Sequence, residues 1–136
     1  STSTAKLSLG GATTLTFPNT DPDTPTINAT EGAINVTAKA RTASASTVTL
    51  EVRSSGGSSG NFVSGSDTIA ISALKWTGTG TGFVAGPTTM TNANQTAASW
   101  TGPGNNSGTQ SFVLDNSWSY APGTYTATIT YTLTAP

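Results

Sequence analysis

The chain has 136 residues, five bases against six acids for a net charge of −1, and neither histidine nor cysteine. Those two absences exclude Ser/His and Cys/His nucleophiles, disulfides and thiolate metal sites. Charged residues are only 8 % of the chain, while serine and threonine make up roughly a third. One domain is expected at this length, all-β, uncharged at its surface and outside the cell.

In chain order, STSTAK at the start suits a mature end left after removal of a secretion signal. KLSLGGATTLTF then places Leu7, Leu9, Gly11, Thr13, Leu15 and Phe17 on one parity, the alternation of a half-buried strand. The stretch PNTDPDTPT reads as a turn, because its prolines cannot donate to a central ladder. AINVTAKA and TVTLEVR alternate again, with Ile34, Val36, Ala38 and Ala40, then Val48, Leu50 and Val52, inward. The intervening TASAS suits a hairpin. SSGGSSGNFVSGS reads as a loop or irregular edge, followed by the apolar DTIAIS and ALKWT. GTGTGFVAGP is too glycine-rich for a regular strand. AASWT precedes an expected turn, GPGNNSG, and TQSFVLD turns Phe112 and Leu114 inward. TYTATITYTLT ends the series with Tyr125, Ala127, Ile129, Tyr131 and Leu133 on one face and six threonines on the other. Short strands with regular turn signals predict an Ig-like two-sheet antiparallel β-sandwich. No run approaches the ~20 apolar residues of a membrane-spanning helix.

No residue announces a reaction. The bases Lys6, Lys39, Arg41, Arg53 and Lys75 are spread along the chain, without the clustering that a phosphate backbone requires, so no nucleic-acid partner is expected. A paired-carboxylate glycosidase is formally open to six acids. Asp21, Asp23, Glu31, Glu51, Asp67 and Asp115 fall mostly in turns or at strand margins, where aspartate serves local backbone hydrogen bonds. Asn19, Asp21 and Asp23 alternate like hard-oxygen ligands, but no glycine permits the tight wrap of a calcium loop. Neither enzyme, metal nor cofactor is expected. Trp76, Trp100 and Trp118 fit either a sandwich core or an aromatic platform for sugar, the core being favoured. Asn28, Asn35, Asn94 and Asn105 open Asn-x-Ser/Thr sequons, which this composition also supplies by chance. The threonine face suggests ice binding only in passing, since no repeat extends it.

The two ends carry the most information. Ala5, Leu7, Leu9 and Gly11 form an apolar alternating arm, which can extend to Leu15 and Phe17. At the other end, Tyr125, Ala127, Ile129, Tyr131 and Leu133 form the most regular strand, a rail for a neighbour's arm. Such an arm adds to a sheet edge through main-chain hydrogen bonds, with alternate side chains filling pockets. The competing reading is that it pairs within its own domain as an ordinary first strand.

Two families share parts of this pattern. APGTYTATITYTLTAP, Ala121 to Pro136, resembles the C-terminal motif of WxL domains, with Tyr131, Thr132 and Leu133 where that motif begins on tryptophan. The resemblance implies a β-rich module held noncovalently on a bacterial cell wall. Gly123 to Thr126, with the arm, resembles pilins assembled by donor-strand complementation, above all the archaic chaperone-usher kind. Many of those have a disulfide, absent here. That resemblance implies an incomplete sandwich that receives its neighbour's N-terminal strand, with Leu7 and Leu9 as plugs and Gly11 where the groove is shallow.

The expectation is therefore a secreted structural subunit of a surface filament or pilus-like fibre. Residues 1–11 form the arm or donor strand and 12–136 the single β-sandwich domain. Its partners are copies of itself, with cell-wall polysaccharide as a further candidate. The alternative is a surface binding module, by WxL-like wall attachment or carbohydrate binding.

Overall fold

The computed structural model describes every residue except Ser1, Ala12 and Gly57. Its strands are β1 (Thr4–Gly10), β2 (Thr26–Asn28), β3 (Ile34–Arg41), β4 (Thr47–Ser54), β5 (Phe62–Ser64), β6 (Asp67–Ile69), β7 (Leu74–Thr79), β8 (Thr88–Thr89), β9 (Gln95–Thr101), β10 (Gly104–Asp115) and β11 (Ile129–Thr134). A 3-10 turn at Ile71–Ala73 is the single helical element among the described residues. Every strand pairing is antiparallel. The larger sheet runs β1-β3-β10-β7-β8, and β2 takes over from β3 along the far part of β10. A second sheet runs β11-β4-β9, and β5 and β6 form a separate hairpin.

The two sheets share one core, a sandwich-like arrangement. Period-two alternation turns Val36 and Ala38 of β3, Leu74 and Trp76 of β7, and Phe112 and Leu114 of β10 toward the second sheet. They meet Val48, Leu50 and Val52 of β4 and Trp100 of β9 in one buried cluster. Each large apolar side chain so buried contributes about 1.5–3 kcal/mol. Ala97 and Ala98 break the alternation, both buried although adjacent. The reason is a bulge: Leu50 pairs with Ala98 but Glu51 with Thr96, so Ala97 is the extra residue of β9.

Four local expectations are corrected. The TASAS link, Thr42 to Ser46, is no hairpin: β3 and β4 lie in different sheets, and the link crosses between them. Most of GPGNNSG is strand, because β10 begins at Gly104 and pairs Asn105 with Lys39 and Asn106 with Ala38. The arm does not extend to Leu15 and Phe17: β1 stops at Gly10, and Gly11 takes a left-handed φ of +80° that reroutes the chain. TYTATITYTLT is split. Thr126 bridges Val63 of the β5–β6 hairpin, and regular pairing with β4 begins only at Ile129.

The β7–β9 side of the sandwich is sealed. Val84 N–H donates to the Ala97 carbonyl at 2.9 Å, and the Phe83 ring meets Trp100 edge-on with centroids 5.5 Å apart. Trp100 Nε1 donates to the Thr81 carbonyl at 2.8 Å. Gly82, at φ +85°, leaves the space: a Cβ there would sit 2.4 Å from Trp100 Nε1. On the opposite side the outer strands are β1 and β11, which approach each other and carry half-buried side chains packed on the same core.

Candidate functional site

On that side each sheet ends in an edge strand. β1 is laid along β3 in seven consecutive pairs, from Thr4 opposite Arg41 to Gly10 opposite Asn35. Its side chains gain little from this. Of the predicted arm, Ala5, Leu9 and Gly11 are exposed, Leu9 at 42 %, and only Leu7 is half-buried. Leu15 and Phe17 are half-buried in the connection that follows, outside any strand. Here Glu31 accepts from the Thr16 N–H at 2.6 Å and from Thr16 Oγ1 at 2.8 Å. These bonds to its charged form, the backbone one foremost, hold the Glu31 carboxyl below its ordinary range.

Near β1, in the other sheet, is the predicted rail. Ile129, Tyr131 and Leu133 lie on β11, and Tyr125 and Ala127 in the segment before it; all are half-buried and packed on the core's margin. The intervening threonines are exposed. β11 pairs with β4 on one side, and among the described residues no strand pairs with its other edge. The arm therefore lies on β3, across from the rail and not hydrogen-bonded to it. Side-chain hydrogen bonds also join the two sheets here. Ser3 Oγ donates to the Pro136 carbonyl at 2.5 Å, which Thr42 Oγ1 also reaches.

One link runs through the interior. Tyr131 Oη donates to Gln110 Oε1 at 2.5 Å, spanning from β11 to β10. Gln110 is fully buried, and its Nε2 has no partner among the described residues. Burial pushes the Tyr131 phenol well above its ordinary range, so the hydroxyl keeps its proton and stays a donor. Sequence reasoning passed over Gln110, although it shares the inward parity of Phe112 and Leu114 in TQSFVLD.

Protein-family models, curated proteins and solved structures offer no match to this chain. Its function must be read from its own geometry.

The remaining candidate residues are dispersed. Trp76 is 1 % and Trp100 9 % exposed, so both are core residues with no ring face offered to a ligand. Trp118 is 72 % exposed, its Nε1 donating to Asp23 Oδ1 at 3.0 Å. The three do not form one platform. Asn28, Asn35, Asn94 and Asn105 are all exposed; Asn28, Asn35 and Asn105 lie on strands and Asn94 in the turn before β9. The NTDPD stretch is a turn in which Asp21 Oδ1 accepts from the Asp23 N–H at 3.0 Å. Among the described residues, no three His, Cys, Asp or Glu gather as metal ligands, and no helix is long and apolar enough to cross a membrane.

Proposed function

We propose that this chain is a secreted, non-catalytic structural subunit, an Ig-like sandwich that polymerises into an extracellular fibre by exchanging β1 between copies. The observation that carries the reading is the mismatch at β1: a full ladder of seven pairs with almost no side-chain burial. A strand held chiefly by main-chain bonds, each a net ~0.5–1.5 kcal/mol, is replaceable by the same strand from another copy. The exchanged strand makes identical contacts, so the swap itself costs little and concentration decides it. Within the fibre, Leu7 of the exchanged strand packs toward the half-buried Ile129, Tyr131 and Leu133 of β11, the apolar wall of the groove, while Leu9 stays at the exposed rim. The acceptor ladder is β3.

The tether supports this. Asn116 holds Thr20 and Asp21, but residues 11–19 contain no strand among those described and, once Thr16 leaves Glu31, reach up to about 30 Å at ~3.3–3.6 Å per residue. A filament of interlocked non-local strands unfolds slowly, which makes it kinetically resistant.

The second reading is the surface binding module, for which Trp118 supplies the exposed ring. Size-exclusion chromatography and negative-stain microscopy separate the two, on the full chain and on one lacking residues 1–11. Fibres from the full chain and none from the truncated one are expected. A full chain that stays monomeric at high concentration contradicts assembly, and its retention on peptidoglycan or polysaccharide supports the binding module.

A further inference from the structure

The bases that look scattered in sequence converge in space. Lys6 of β1 lies directly opposite Lys39 of β3, and Thr4 opposite Arg41. Asn105 flanks Lys39 from β10, and these residues line one shallow depression at one end of the larger sheet. All three cations are exposed, and among the described residues the only ion pair is Lys75 with Asp115. Like charges directly opposite across strands destabilise a sheet, so this corner is held against electrostatic cost.

The far end has the opposite sign. Asp115 closes β10, and Asn116 Nδ2 donates to the Thr20 and Asp21 carbonyls, fixing the Asp21–Asp23 turn beside it. The β5–β6 hairpin, with Asp67, is bridged to Thr126 in the segment that leaves the same end of β10. Asp21, Asp23 and Asp67 are exposed and have no ion-pair partner among the described residues. Glu51 and Arg53 lie two residues apart on one face of β4, both half-buried, and form no ion pair among the described residues. The 12-residue β10 separates the two ends by about 40 Å at ~3.3 Å per residue.

Resting on strand exchange as proposed above, we infer that this charge polarity selects the partner's orientation: the basic end of one copy (its Lys39 and Arg41, joined by Lys6 of the exchanged β1) seats on the acidic end of the copy that donates the strand (Asp21, Asp23, Asp67). Two exchanges are open to β1. Swinging it about Gly10–Gly11 reverses its direction, and antiparallel pairing with β3 then requires an inverted neighbour, acidic end against acidic end. That arrangement closes as a dimer. Translating β1 without reversal places the neighbour in the same orientation, basic end on acidic end, and the contact propagates without closing. The tether has reach for this. Asn116 holds Thr20 and Asp21 beside Asp115, and Asn35 lies opposite Thr109, so the span from a neighbour's β3 back to Thr20 is ~25 Å, within the ~30 Å that residues 11–19 cover once Thr16 leaves Glu31. Carboxylate against carboxylate opposes the closed dimer, and complementary ends favour the filament.

The test uses two charge variants of the full chain, each checked for a native far-ultraviolet spectrum. Lys6→Glu/Lys39→Glu/Arg41→Glu makes both ends acidic; Asp21→Lys/Asp23→Lys/Asp67→Lys makes both basic. Neither alone is expected to form filaments, whereas an equimolar mixture should form them, scored by sedimentation and negative stain. For the wild type, raising NaCl from low to high concentration should raise the critical concentration about tenfold. If both variants polymerise alone, or the wild type is indifferent to salt, the orientation rule is wrong while strand exchange stands. If the wild type gives closed dimers joined by exchanged β1, the rule is again wrong. If it gives neither filaments nor exchanged dimers, strand exchange itself falls.

Discussion

Trp76→Ala is expected to destabilise the isolated domain by about 3–5 kcal/mol, a large part of the ~5–15 kcal/mol by which such domains are stable. Trp76 is 1 % exposed on β7, directly opposite Phe112, with Leu74 and Leu114 as the next pair. Truncation leaves a cavity between the sheets that these neighbours cannot fill without moving the ladder. Trp76→Phe should cost much less, because it keeps the ring and removes an indole N–H that is buried without a partner. Trp118→Ala, at a site 72 % exposed, should change stability by no more than about 0.5 kcal/mol. Urea unfolding followed by circular dichroism measures all three. A costly Trp118→Ala beside a mild Trp76→Ala would contradict the core described above.

Tyr131→Phe should cost about 1–3 kcal/mol, more than a surface hydroxyl warrants. It removes the donor to Gln110 Oε1 and leaves the whole of a fully buried amide without a partner. Gln110→Leu alone strands the phenol in the same way. The double variant Tyr131→Phe/Gln110→Leu removes both polar ends, so it should be less destabilised than the two single costs added together, with a coupling of about 0.5–3 kcal/mol. Strictly additive single costs in the same unfolding assay would mean that the hydroxyl does not join the sheets.

Alternation made most of this core legible in the sequence. Val36, Val48, Leu50, Val52, Phe112 and Leu114 have the inward parity assigned to them, because period two ties side-chain direction to position. What alternation cannot express is which strands are neighbours. The Thr42–Ser46 link has the length of a hairpin loop, yet it changes sheets, since Val36 and Val48 bury better against opposite walls than side by side. Gly104, Asn105 and Asn106 have turn chemistry but extend β10, where ladder bonds to β3 outweigh weak local preference. The candidate site was legible in its parts, the arm and the terminal strand. Its arrangement was not: the partnership of β1 with β3 and the Lys6–Lys39 juxtaposition depend on register, which links residues far apart in sequence.

The same register offers the most direct test of strand exchange. Ser8 and Thr37 lie opposite each other on the outer face of the β1–β3 pair, and the chain has no cysteine to interfere. Opposed antiparallel residues are ~4.5–5.5 Å apart at Cα, within the span of a disulfide. The double variant Ser8→Cys/Thr37→Cys should be assembled reduced, then oxidised and run on a non-reducing denaturing gel. Exchange of β1 between copies links each chain to the next and gives a covalent ladder that collapses to a single band on reduction. A single monomer band before reduction, with the thiols consumed, would show that β1 stays on its own β3 and would contradict assembly by strand exchange.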